Sequence, residues 1–257
     1  MLKELMYTEF QPKTNLKNAT LIITHGLAEY SKSYLELAKF LQAEGYNVIT
    51  YDIKGHGKRK GKRGYVDSYQ EFLADLDSLV NYAFTRTEKV FLYGHSLGGV
   101  ITNLYALENQ NISGVVVTAS PTNYLPIMRL LKVIPGFLIN NLKLKTNFND
   151  PRLNHQNKYL KDQYDLDYVV FKLVLEVMIK GMKQLRKSWE NYSTPVLLIY
   201  SKKDKLASYK YGEKMIDKIA SKDKTLLLYE KSFHNLHTDI EKEKLQNDLL
   251  NWLDKRA

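Results

Sequence analysis

Cysteine is absent from the 257 residues, which excludes disulfides, thiolate metal sites and a cysteine nucleophile, so covalent catalysis would have to use another side chain. Long apolar runs are missing too: no stretch approaches the roughly eighteen uninterrupted apolar residues of a membrane span. Residues 1–18 interrupt their apolar positions with Lys3, Glu4, Glu9, Lys13 and Lys17. The continuous apolar core of a secretory signal is therefore not there, and cytoplasmic residence is the expectation. Acidic residues are outnumbered, with 38 Lys and Arg against 28 Asp and Glu and a formal charge of +10. Such an excess suits a polyanion or an anionic membrane surface. The basic residues are mostly scattered lysines, however, and accompany abundant Asn, Ile and Tyr, as in A/T-rich codon usage. No nucleic-acid partner is expected. The densest cluster, Lys54 to Arg63, lacks interleaved aromatics on which bases would stack and reads as a solvated loop.

What is present is a regular alternation of short apolar runs and longer periodic ones from Thr20 to Ala119, the pattern of a parallel sheet with crossover helices. Strands are expected at Leu21 to Thr24, Tyr46 to Tyr51, Val90 to Tyr93 and Ile112 to Thr118. Helical spacing runs from Ser33 to Glu44, Ser68 to Arg86 and Leu97 to Leu107. The alternation stops at Pro121 and resumes at Pro195 with a strand Val196 to Tyr200, a helix near Ser208 to Ile219, a strand Thr225 to Tyr229 and a helix from about Asp239 to Lys255. The reading is one α/β core, residues 1–120 and 195–257, with a mostly parallel sheet flanked by helices. Residues 121–194 form an insertion holding two apolar stretches, Leu125 to Ile139 and Tyr168 to Met182.

The chemistry concentrates at Gly94-His95-Ser96-Leu97-Gly98. This G-x-S-x-G joins a predicted strand to a predicted helix, a turn that strains the serine and projects its hydroxyl at the sheet edge while glycines relieve the crowding around it. A serine hydroxyl needs a base, and the base needs an acid to fix its tautomer. Asp204 follows one strand and His234 the next, so both emerge at the edge where ligands bind in open α/β sheets. Asp217 falls inside a helix and Asp223 lies at the wrong end of the sheet. His237, three residues beyond His234, is a rival base, whereas His95, His56 and His155 fit hydrogen-bonding roles. The oxyanion requires backbone donors: the Leu97 amide, after the nucleophile, and the Leu27 amide, in the loop His25-Gly26-Leu27 after an earlier strand.

Three segments carry a resemblance: His25-Gly26-Leu27-Ala28-Glu29-Tyr30; Tyr51-Asp52-Ile53-Lys54-Gly55-His56-Gly57 with Gly61, Arg63 and Gly64; and Gly94 to Gly99. Together with Asp204 and Ser232 to His237, they are similar to the monoacylglycerol lipase and lysophospholipase branch of the α/β-hydrolases, grouped with S33-type serine hydrolases. The resemblance implies an α/β-hydrolase fold with a helical lid and a histidine base at His234. It also implies hydrolysis of single-chain acyl glycerols or lysophospholipids with no cofactor and no metal. Lys58 and Arg59 follow Gly57 where that branch usually carries a serine at the second position, and Tyr168 stands where relatives often have proline. These differences bear on the substrate rather than the chemistry.

Within Leu125 to Ile139 the charges are Arg129 and Lys132, with Lys143 and Lys145 beyond. The segment suits either a lid packed on the core or peripheral contact with an anionic membrane. Alternative functions are a short-chain carboxylesterase or thioesterase, acyl transfer to an acceptor other than water, and a basic polyanion- or membrane-binding protein on a hydrolase scaffold.

Overall fold

The computed structural model describes residues 2–14, 16–123, 139–155 and 161–257. Its chain runs β1 (Tyr7–Phe10), β2 (Ala19–Thr24), α1 (Leu35–Ala43), β3 (Asn47–Tyr51), α2 (Gln70–Phe84), β4 (Lys89–His95), α3 (Leu97–Glu108) and β5 (Gly114–Thr118). The segment before the next core strand holds β6 (Lys143–Lys145), β7 (Tyr168–Val170) and a continuous helical stretch, α4. This stretch begins as α-helix at Phe171–Val174, widens to a π-helix at Leu175–Gly181 and returns to α-helix at Met182–Lys187. Then come β8 (Val196–Ser201), α5 (Lys210–Lys218), β9 (Lys224–Tyr229) and α6 (Lys242–Asp254).

Seven strands form one sheet in the order β1-β3-β2-β4-β5-β8-β9, and β6 pairs with β7 as a separate ribbon. Only β1 runs antiparallel in the large sheet. Strands β2, β3, β5 and β8 are buried at every position, which is why they read as unbroken apolar runs rather than alternating ones. Their side chains still alternate between two layers. Ile22, Leu92 and Leu198 join the core beneath α2, α3 and α4, whereas Leu21, Phe91 and Leu197 join the core beneath α1 and α6. Gly45, at φ +96°, ends the α1 turn in a conformation that costs glycine little.

Within the core, two features differ most from expectation. The edge strand β1 was not anticipated; it pairs Tyr7 with Tyr51 through Phe10 with Val48. The final helix starts at Lys242 rather than near Asp239, because Asp239 and Glu241 bond the loop before it. Of the apolar stretch Leu125 to Ile139, residues 125–138 lie outside the described residues. The stretch from Tyr168 to Met182 is β7 followed by most of α4.

Candidate active site

Because β2, β4, β5, β8 and β9 are parallel, the loops after them open on one edge of the sheet. Ser96 stands in the turn from β4 to α3 at φ +50°, ψ −114°, a conformation costly for a residue with a side chain. Packing enforces it. The Ser96 amide donates to the Thr118 carbonyl at 2.9 Å, and the Ser120 hydroxyl donates to the Ser96 carbonyl at 2.9 Å. The neighbouring glycines allow the strand and helix to meet: a Cβ on Gly98 would lie 2.2 Å from the Thr24 carbonyl oxygen, and one on Gly94 would lie 2.5 Å from that of Gly98.

Ser96 Oγ lies 3.0 Å from His234 Nε2, and His234 Nδ1 lies 2.8 Å from Asp204 Oδ2. Nδ1–H donates to the carboxylate, so Nε2 carries a lone pair that accepts from the serine hydroxyl. Asp204 follows β8, and its Oδ1 takes the amides of Leu206 at 2.7 Å and Ala207 at 2.9 Å. The three residues are brought together from three different strand ends. A hydroxyl, an imidazole and a buried carboxylate in this order can move a proton off an attacking oxygen and return it to a leaving group. His237 stands elsewhere: its ring stacks on Tyr34 at 4.3 Å. Asp223 pairs with Arg256 at the far end of the sheet.

Leu27 and Leu97 both line the cavity above Ser96. Among the described residues neither backbone amide donates a hydrogen bond to the protein, so both are available to a ligand oxygen. The loop carrying Leu27 is shaped by buried groups to which the sequence reading gave no such bonding role. Buried Glu29 accepts from the Gly26 amide at 3.2 Å and the Tyr34 hydroxyl at 2.9 Å, and burial raises its pKa. His25 Nε2 accepts from the Ile53 amide at 3.1 Å, so Nδ1 carries the proton and donates to the Gly26 carbonyl at 2.8 Å. Buried Asp52 takes the amides of Ser31 and Lys58.

Burial disfavours the charged form of four histidines at this edge. Burial lowers His25. It pushes His56 down to about 3, with the neighbouring His25 adding to the effect. Burial places His95 well below its usual value and His237 at about 3, and in both the nearby His234 acts in the same direction. His95 Nδ1 meets the Thr118 hydroxyl at 3.0 Å, and its ring centre lies 4.9 Å from that of His234. No group of three or more His, Asp or Glu among the described residues is arranged to hold a metal.

A cavity of about 410 Å³ opens over Ser96. Val169, Leu173, Val174 and Met178 form one apolar wall, whereas Lys145, Asn147 and Asp150 bring polar groups. All seven come from the segment between β5 and β8.

The family model described as "Serine aminopeptidase, S33" matches residues 16–241, most of the chain and the whole of this constellation. The chain belongs to that family. Among similar proteins, the monoglyceride lipase of Rattus norvegicus is 26% identical over 250 residues, covering 92% of this chain and 82% of the relative. An uncharacterized abhydrolase domain-containing protein of Dictyostelium discoideum is 29% identical over 248 residues. These span 93% of this chain and 26% of that longer protein. The crystal structure of the Paleococcus ferrophilus monoacylglycerol lipase superposes with a TM-score of 0.87 at 28% identity, covering 98% of this chain and 99% of that one. The fold is therefore the α/β-hydrolase fold.

Proposed function

We propose that the chain is a serine esterase cleaving single-chain acyl lipids, monoacylglycerols or lysophospholipids, through an acyl-enzyme on Ser96. The observation that carries this reading is the relay Asp204–His234–Ser96, with contacts of 2.8 and 3.0 Å, at the floor of a cavity with an apolar wall. Ser96 Oγ attacks the ester carbonyl as its proton passes to His234 Nε2. The Leu27 and Leu97 amides hold the oxyanion. His234 returns the proton to the departing alcohol, leaving the acyl group on Ser96. A water then gives its proton to His234 and attacks the acyl carbon, and as the adduct collapses His234 passes that proton to Ser96 Oγ, releasing the fatty acid and restoring the serine hydroxyl. Asp204 stabilises the imidazolium in both halves.

The cavity of about 410 Å³ falls in the ordinary range for small-ligand sites and favours one acyl tail over three. Residues 121–194 act as a cap over the core of residues 1–120 and 195–257. Beside the cavity, Leu142 and Leu144 are 53% and 40% exposed, flanked by Lys143 and Lys145. This edge of the cap suits peripheral contact with an anionic membrane. No helix among the described residues is long and apolar enough to cross one.

The test is a hydrolysis panel of monoacylglycerols, lysophospholipids, triacylglycerols and short p-nitrophenyl esters, with Ser96→Ala alongside. The expected result is hydrolysis of single-chain lipids by the wild type. Ser96→Ala should show neither turnover nor labelling by a fluorophosphonate. Labelling that persists in Ser96→Ala overturns the nucleophile, and a clear preference for triacylglycerol overturns the substrate class.

A further inference from the structure

The loop that carries His234 is held from two sides. From the core, the Glu241 carboxylate accepts the amides of Lys231 at 3.0 Å and Ser232 at 2.7 Å, and the Ser201 hydroxyl donates to the Ser232 carbonyl. From Phe233 onward the support changes. Asp239, 2% exposed, accepts the Phe233 amide on Oδ2 at 2.7 Å and the Ile240 amide on Oδ1 at 2.9 Å. It also takes two donors from the segment between β5 and β8: the His155 amide at 3.1 Å and His155 Nδ1 at 2.9 Å. The His155 ring lies flat on Phe233, with centres 4.0 Å apart and planes within 3°. Just before His155, the Arg152 carbonyl accepts the His234 amide at 3.3 Å and the Leu153 carbonyl accepts the Asn235 amide at 2.7 Å.

We propose that His155, acting through Asp239, is a positioning residue for His234. The inference rests on the reading of His234 as the base of Ser96. The amides of residues 233, 234 and 235 all depend on this clasp, and two of the three bond the inserted segment directly. A buried carboxylate has to keep its donors. When the His155 N–H is lost, Asp239 re-forms its bonds with whatever remains within reach, and the backbone around His234 shifts with it. The 3.0 Å approach of Nε2 to Ser96 Oγ tolerates little of this, since a displacement of about 1 Å from productive geometry costs on the order of a hundredfold in rate. Thus the inserted segment supports the catalytic base as well as shaping the cavity.

Two substitutions separate the ring from its proton. His155→Phe keeps a ring over Phe233 and removes the donor. His155→Asn removes the ring and keeps an N–H near the place of Nδ1. p-Nitrophenyl acetate is the substrate, because its two-carbon acyl group does not need the apolar wall. The expected result for His155→Phe is a fall in kcat of roughly tenfold with KM within twofold, and a matching slowing of fluorophosphonate labelling. His155→Asn should stay within threefold of wild type. Thermal melts establish that each variant is folded at the assay temperature; should His155→Phe not accumulate, His155→Ala is read by the same criteria.

Wild-type kcat in the donor-less variant, or an equal fall in His155→Asn, overturns the proposal. Ser96→Ala on the same ester keeps the two readings apart. Turnover surviving in Ser96→Ala removes the nucleophile itself, whereas an inactive Ser96→Ala with an unaffected His155→Phe removes only the positioning role.

Discussion

Ser96 and His234 face one another across 3.0 Å, yet the chain holds them by different means. Ser96 is locked by close packing: a positive φ, glycines on either side with no room for a Cβ, and a carbonyl bonded to the next strand's loop. Those contacts come from β2, β4, α3 and the loops after β2 and β5. His234 sits on a loop with no regular structure, seated by carboxylates and by carbonyls from the inserted segment. The difference teaches that the sheet edge places Ser96, while the segment between β5 and β8 both walls the cavity and bonds the loop that carries His234. Changes at the sheet edge should therefore act on every substrate alike, and changes on the insertion wall should discriminate between substrates.

The largest effect is expected at the sheet edge. Asp204→Asn preserves size but no longer fixes the tautomer of His234, and kcat should fall on the order of ten-thousand-fold for long and short esters alike. Steady-state rates on a monoacylglycerol and on p-nitrophenyl acetate check this; a near-normal rate would pass the role of acid to another carboxylate.

Acid should attack the same edge. His56 and His237, with pKa values near 3 in the folded chain, titrate near 6.5 when unfolded, so between these values the unfolded chain binds more protons than the native one. Their contribution to stability is complete above about pH 6.5 and is lost as pH falls towards 3, at roughly 1.4 kcal/mol per histidine per pH unit. Between pH 6.5 and 4.5 the melting temperature should fall by on the order of ten degrees. A melting temperature that stays level over this interval would contradict the buried neutral state.

The smallest effect belongs to the insertion wall. Met178→Trp adds bulk beside the cavity, and kcat/KM for long-chain monoacylglycerols should drop roughly tenfold while p-nitrophenyl acetate changes less than twofold. Equal losses on both esters would erase the distinction between the two regions.

The parts of the site built from the sheet were legible in the sequence because each leaves a compact signature. Leu21 to Thr24, Val90 to Tyr93 and Val196 to Tyr200 are apolar on both faces, and the glycines around Ser96 stand close together in sequence even though the clash they avoid at Gly98 is with Thr24 and His25 at the end of the neighbouring strand. Strand β1 was not legible, since Tyr7-Thr8-Glu9-Phe10 is short, polar at its centre and only half buried at an edge. Strand β6, Lys143-Leu144-Lys145, is exposed throughout and gives no apolar signal.

The clasp residues were obscured for another reason. Asp239 and Glu241 look like the acidic first turn of the last helix, a common and weakly informative pattern. Their true partners, Phe233, Ser232 and His155, are distant in sequence or lie on the other side of a loop. Glu29 was similarly hidden: a lone carboxylate in a loop reads as solvated until the fold buries it against Tyr34 and Gly26.

The two carbonyls that Arg152 and Leu153 offer to the His234 loop bear on how such enzymes are recombined. A segment bounded by Pro121 and Pro195 looks like a cassette, removable at its ends and replaceable by a relative's. Here it is also stitched to the core in the middle, by backbone bonds that any sequence could make but only one path of the chain can place. A chimaera that exchanges the segment for new substrate preference has to reproduce that path across residues 152–155, or import residues 232–241 along with it. The natural graft is two pieces, not one.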